Sequence, residues 1–169
     1  MVMNKLEQKK GTKASYADLV KEIAFKTFET TCYMFPLGEW ELDDSEDMEK
    51  PDGSIRAIVE FDGATDGGLV ISTTPHLLES IAANMLGIEA PSREVKEGAL
   101  GEIANIICGN TVPGFAHNNE ICYIRPPRIA RESENFDEIY IDKASEHVEV
   151  ILDEGIAHIT IYYKAEATR

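Results

Sequence analysis

Cations are scarce in this chain: 16 Lys and Arg stand against 31 Asp and Glu, a formal net charge of −15 over 169 residues. A surface that acidic repels phosphate backbones and anionic headgroups, so nucleic acid and membranes are poor candidate partners and neither is expected. Long apolar runs are also missing, and nothing approaches the roughly 20 residues that span a bilayer. Residues 1–13 carry Lys5, Lys9, Lys10 and Lys13 without an apolar stretch behind them. They read as a flexible N-terminal arm, not a secretory signal. Cysteine is limited to Cys32, Cys108 and Cys122, an odd number without close spacing. Buried thiols in a reducing cytoplasm are expected in place of disulfides.

Metal and nucleotide motifs are lacking too. His76, His117, His147 and His158 are scattered, and Cys108, His117 and Cys122 match no zinc spacing, so no metal site is expected. The acidic stretch from Glu39 to Asp52 lacks the ordered ligand spacing and turn glycine of a calcium loop and reads as solvated. The glycines between Gly63 and Gly68 form no dinucleotide cradle, and no nucleophile-elbow sequence occurs. Trp40, beside Phe35 and Leu37, is expected to cover the core.

What is present suits one globular domain, residues 14–169, with 43% hydrophobic and 28% charged residues. Ser15 and Asp18 open a helix whose apolar positions, Leu19 to Phe28, recur at helical spacing until about Tyr33. Ile55–Phe61 and Gly68–Thr73 read as a hairpin. Thr74 as N-cap and Pro75 at the first helical position start a second helix, which Gly87 stops. Ser92 caps a third, reaching Asn110. A short strand before Pro126, strands at Glu138–Ile141 and Glu146–Leu152, and a turn at Asp153-Glu154-Gly155 into Ile156–Tyr163 complete an α+β order.

The third helix holds the candidate chemistry. At about 100° per residue, Val95, Ala99, Leu100, Ile103, Ile106 and Ile107 form a stripe to be buried. Glu94, Gly98, Gly101, Glu102, Asn105 and Gly109 gather on another face, where Glu102 and Asn105, three apart, are neighbours. Each interior glycine costs about 1 kcal/mol against alanine. Three on one face imply either close packing within the fold or close approach by a partner.

Gly98-Ala99-Leu100-Gly101-Glu102-Ile103-Ala104-Asn105-Ile106-Ile107-Cys108-Gly109-Asn110 resembles the defining helix of the CheC/CheX/FliY chemotaxis phosphatases, and CheX most of all. The preceding hairpin and helix, and the later β meander with Pro126-Pro127, are similar in order and spacing, over residues 15 to 163. The resemblance implies a single CheX-like domain, two central helices packed on an antiparallel sheet, and a homodimer. It further implies that the chain dephosphorylates the phosphoaspartate of a CheY-like response regulator. Glu102 would then pair with the regulator's lysine, and Asn105 would orient the attacking water. Glu94, Gly98, Gly101 and Gly109 would form the partner-binding face. No cofactor of its own is implied, since the regulator supplies Mg2+. Two departures stand out: Gly98 occupies the position usually Asp or Ser, and Pro126 and Pro127 fall one or two residues short of the family's proline. A non-catalytic regulator-binding or scaffold module, and a purely structural dimer, are the rival readings.

Overall fold

The computed structural model describes residues 15–38, 41, 54–116 and 120–165. The N-terminal arm, Trp40, His117 and all of the acidic stretch except Glu41 lie outside the described residues. The elements run α1 (Tyr16–Cys32), β1 (Arg56–Gly63), β2 (Gly67–Thr73), α2 (Pro75–Leu86), α3 (Arg93–Thr111), β3 (Cys122–Ile124), β4 (Arg128–Ile129), α4 (Phe136–Ile139), β5 (Ala144–Leu152) and β6 (Gly155–Tyr163). This is an α+β fold around an antiparallel sheet ordered β3-β1-β2-β6-β5, with β4 also paired to β1.

The helix ends follow their capping chemistry. Ser15 and Asp18 form a reciprocal capping box, and the chain leaves α1 through Tyr33 in the left-handed region. Ser92 accepts the backbone N–H of Val95 at the start of α3. Thr74 departs from expectation: its side chain makes no cap bond to α2. Its hydroxyl accepts the Ile156 N–H at 3.3 Å, tying α2 to the β5–β6 turn. That turn needs Gly155, which has φ +141° and where a Cβ would collide with Thr74 and lie 2.9 Å from Leu77 Cβ. Gly155 pairs with Leu152 as the first residue of β6 and flanks a turn of Asp153-Glu154, one residue shorter than predicted.

α1, α2 and α3 cover one sheet face. Ala57, Val59 and Phe61 of β1, Leu69 and Ile71 of β2, Val148 and Val150 of β5 and Ile159 and Ile161 of β6 meet Phe28, Leu77, Ile81, Leu100, Ile103 and Ile107 in the main core. The other face carries a smaller cluster of Ile58, Val70, Phe136 and Tyr162. The predicted strand at Glu138–Ile141 is not one. Its residues belong to a helical turn and the turn after it, with Phe136 buried and Tyr140 half-buried one helical turn on, while Ile139 and Ile141 point outward. The i, i+4 spacing of two aromatics, ring centroids 6.4 Å apart, wins over the β-branched pair. β4 was not foreseen. It and β3 lie in series along the edge of β1, separated by Pro126-Pro127, which have no N–H to continue the ladder.

Candidate functional site

α3 is fixed before its exposed face is considered. Leu100, Ile103, Ala104, Ile107 and Cys108 are fully buried, packed against α1, α2 and β1. Burial pushes the Cys108 thiol up to about 12, with the neighbouring Cys122 adding to it, and pushes Cys32 up to about 11. Neither is a nucleophile near neutrality. All three cysteines are free thiols; Cys32 and Cys108 are buried and Cys122 half-buried.

On the opposite side of α3, Glu102 is exposed and Asn105 half-buried, three residues apart on an uninterrupted run of helix. Among the described residues neither side chain has a hydrogen-bond or ion-pair partner. Glu94 and Gly98 are exposed on the same side, and a Cβ at Gly98 would meet nothing within 4 Å. The other two glycines sit differently from expectation. Gly101 is buried, its would-be Cβ 3.4 Å from Pro127 Cβ, so the proline segment between β3 and β4 lies over it. Gly109 is half-buried, 3.8 Å by the same measure from Ile124 Cδ1. Close packing within the fold thus accounts for Gly101 and Gly109, and of the three glycines Gly98 alone stands open. Ile106, assigned to the buried stripe, is half-exposed one turn beyond Glu102 and gives the polar pair an apolar neighbour.

Glu102 and Asn105 supply one anion and one carboxamide. They do not make a magnesium cage, which takes octahedral oxygen ligands. Among the described residues, the group able to gather three ligand atoms on a metal is His147, Glu149 and His158. The two histidines are scattered in the sequence, but the β5–β6 register brings them together with Glu149. That group faces away from α3.

The CheX model, described as chemotaxis phosphatase CheX, matches residues 55–150. The chain belongs to the CheX family. Its matched span contains the whole of α3 and the Glu102–Asn105 pair. No curated protein sequence matches it significantly. Among solved structures it is similar to a chain of the CheX–CheY–BeF3–Mg2+ complex from Borrelia burgdorferi, with 20% identity, TM-score 0.63, and coverage of 90% of this chain and 100% of that one. It is also similar to the chemotaxis protein CheX of Desulfovibrio desulfuricans, with 13% identity, TM-score 0.66, and coverage of 88% and 99%. For CheX of Vibrio vulnificus the figures are 16%, 0.62, 91% and 99%. At such identities these likenesses bear on the fold. Among the described residues no helix is long and apolar enough to cross a membrane.

Proposed function

We propose that this CheX-family chain hydrolyses the phosphoaspartate of a CheY-like response regulator in the cytoplasm, ending a chemotaxis or related two-component signal. The observation that carries the reading is the exposed, unpartnered Glu102–Asn105 pair on a helix held rigid by its buried side. A rigid element presents two groups with the accuracy that positioning catalysis needs.

Each group has one task. The Glu102 carboxylate attracts a cationic side chain of the regulator and sets the register of docking. The Asn105 carboxamide donates and accepts hydrogen bonds, so it can hold a water in line with the phosphorus, although it cannot deprotonate it. As the water oxygen bonds to phosphorus, the phosphorus–oxygen bond to the aspartyl group breaks and the carboxylate leaves. Acyl phosphate hydrolysis asks more for alignment and charge stabilisation than for a strong base. Magnesium, in this proposal, belongs to the regulator and neutralises phosphoryl oxygens there.

The test is phosphate release from a phosphorylated CheY-type regulator with and without the chain. Faster release supports the reading. Binding without acceleration selects the scaffold alternative, which Gly98 in the usual Asp/Ser position favours. Absence of binding selects a structural dimer.

A homodimer is part of the proposal. β5 is a nine-residue edge strand, joined on its outer side at one end, where Pro36 bridges Leu152 and the Leu37 N–H donates to Ile151. An open edge invites pairing. Light scattering at the monomer mass of 18.8 kDa at micromolar concentration would defeat it.

A further inference from the structure

The sheet face opposite α1, α2 and α3 collects a set of ligands. His147 and Glu149 share one face of β5, and His158 lies directly across from Glu149 on β6. Their ligand atoms all lie within 4.8 Å of one another. Glu149 Oε1 and His158 Nδ1 are 3.5 Å apart. Two ligands of a tetrahedral ion with bonds of about 2.0–2.1 Å stand roughly 3.4 Å apart, so this pair already has coordination spacing. The two imidazoles stack with centroids 6.0 Å apart and planes 16° from parallel.

Support for the first ligands is also present. His147 Nδ1 lies 2.9 Å from the Thr160 hydroxyl, which leaves Nε2 to face an ion. Such an outer partner fixes ring orientation in metal sites. The exposures are graded: His158 is 5% exposed, Glu149 half-buried and His147 open. His147 and His158 line a cavity of about 530 Å³ together with Ser72 and Asp137, which gives an ion a route in. The chain's net charge of −15 draws cations to it.

We propose that His147, Glu149 and His158 bind a late first-row divalent cation of the zinc type, clipping β5 to β6. Two imidazoles and one carboxylate suit zinc and its neighbours, whereas magnesium and calcium prefer oxygen alone. Three protein ligands leave a fourth position for water. The rival explanation is a cross-strand Glu–His ion pair that holds no metal.

Chelator-stripped full-length protein is titrated with ZnCl2 by calorimetry and by thermal unfolding. The expected result is one zinc per chain, with a midpoint raised by about 5 °C or more at hundredfold excess over the dissociation constant. MgCl2 should give neither. CoCl2 should give visible bands of nitrogen and oxygen coordination without a thiolate charge-transfer band, which separates this site from Cys122. His147→Gln, at a position open to solvent, and Glu149→Gln, at a half-buried one, should each weaken zinc binding at least tenfold, and the metal-free midpoint of His147→Gln should stay put. Glu102→Ala, across the sheet, should leave zinc binding unchanged, so failure here and failure of the phosphatase reading are separable. The proposal is overturned if zinc does not bind at tens of micromolar, if both variants bind it as the parent does, or if cobalt reports a thiolate.

Discussion

The two faces of the sheet are built by different rules. On the helical face, α3 buries Leu100, Ile103 and Ile107 and offers Glu102 and Asn105, a division set by 3.6-residue periodicity alone. On the other face, Phe136 from a four-residue helical turn and Tyr140 just after it pack with Tyr162, and the clustering of His147, Glu149 and His158 depends on strand register. The first face is a statement about neighbours in sequence. The second joins residues that only the folded sheet brings together. Function on the first face should therefore be separable from stability, whereas on the second, contacts and cohesion should be harder to part.

The strongest test of that separation is at α3. Asn105→Ala should lower phosphate release from the phosphorylated regulator by at least about 100-fold, the scale of losing one group that aligns or stabilises the transition state. Glu102→Ala should do the same by losing the register in which Asn105 meets the phosphorus. Both midpoints of thermal unfolding should stay within about 2 °C of the parent, because neither side chain is part of the core. A variant that melts several degrees lower would assign its residue to the framework and void the comparison.

Core truncations come next and ask whether the faces fail together. Leu100→Ala, in the main core with no exposure, should cost about 3 kcal/mol or more in denaturant unfolding. Phe136→Ala, 4% exposed in the smaller cluster, should cost about as much. Below its own melting transition, Phe136→Ala should still dephosphorylate the regulator at close to the parental rate. A large fall in rate at a temperature where the variant is folded would mean that the outer cover sets the geometry of α3.

How much of this was legible follows the same line. Ser15, Ser92, Gly87 and Pro75 mark helix ends by chemistry local to the chain, and those boundaries were readable. The side-by-side placement of Glu102 and Asn105 was readable for the same reason. Gly101 was misplaced because helical projection cannot see Pro127 returning from beyond β3 to lie on it. The His–Glu cluster was missed through one residue of the hairpin. A three-residue turn at 153–155 pairs His158 with Val150, on the core side, whereas the two-residue turn pairs it with Glu149. β4 holds two residues and carries too little pattern to announce itself.

A smaller effect should come from the clasp that fixes the outer cover. The Glu134 carboxylate accepts two bonds from the Arg128 guanidinium, at 3.0 and 2.8 Å, and the Arg131 N–H at 2.6 Å. The Arg128 bonds, then the backbone bond, hold its carboxyl at about 2. A carboxyl lowered in the folded state contributes stability that is fully present above the ordinary carboxylate range and is lost as pH falls toward about 2. Glu134→Gln should therefore lower the midpoint by about 2–4 °C near neutrality, and the gap to the parent should close as pH drops below about 4. A gap that stays constant with pH would assign the effect to packing.

The smallest effect concerns Gly98, where the chain leaves its family's pattern. It lies one turn before Glu102, exposed, with open space where a Cβ would stand. A serine there fits without moving anything. It could hydrogen-bond the partner or hold Glu102 in a productive rotamer, and it removes the extra backbone freedom of a helical glycine. Helix propensity alone predicts a gain of a few tenths of a kcal/mol for Gly98→Ser. Turnover should rise modestly, while affinity for the phosphorylated regulator stays the same, because under the proposed mechanism the substituted position steadies Glu102 and does not itself meet the phosphorus. Measuring phosphate release at saturating regulator separates the two contributions. A stabilised Gly98→Ser protein with unchanged or lower turnover would show that the open glycine is as good as serine at this face, and that Glu102 and Asn105 need no help from the preceding turn.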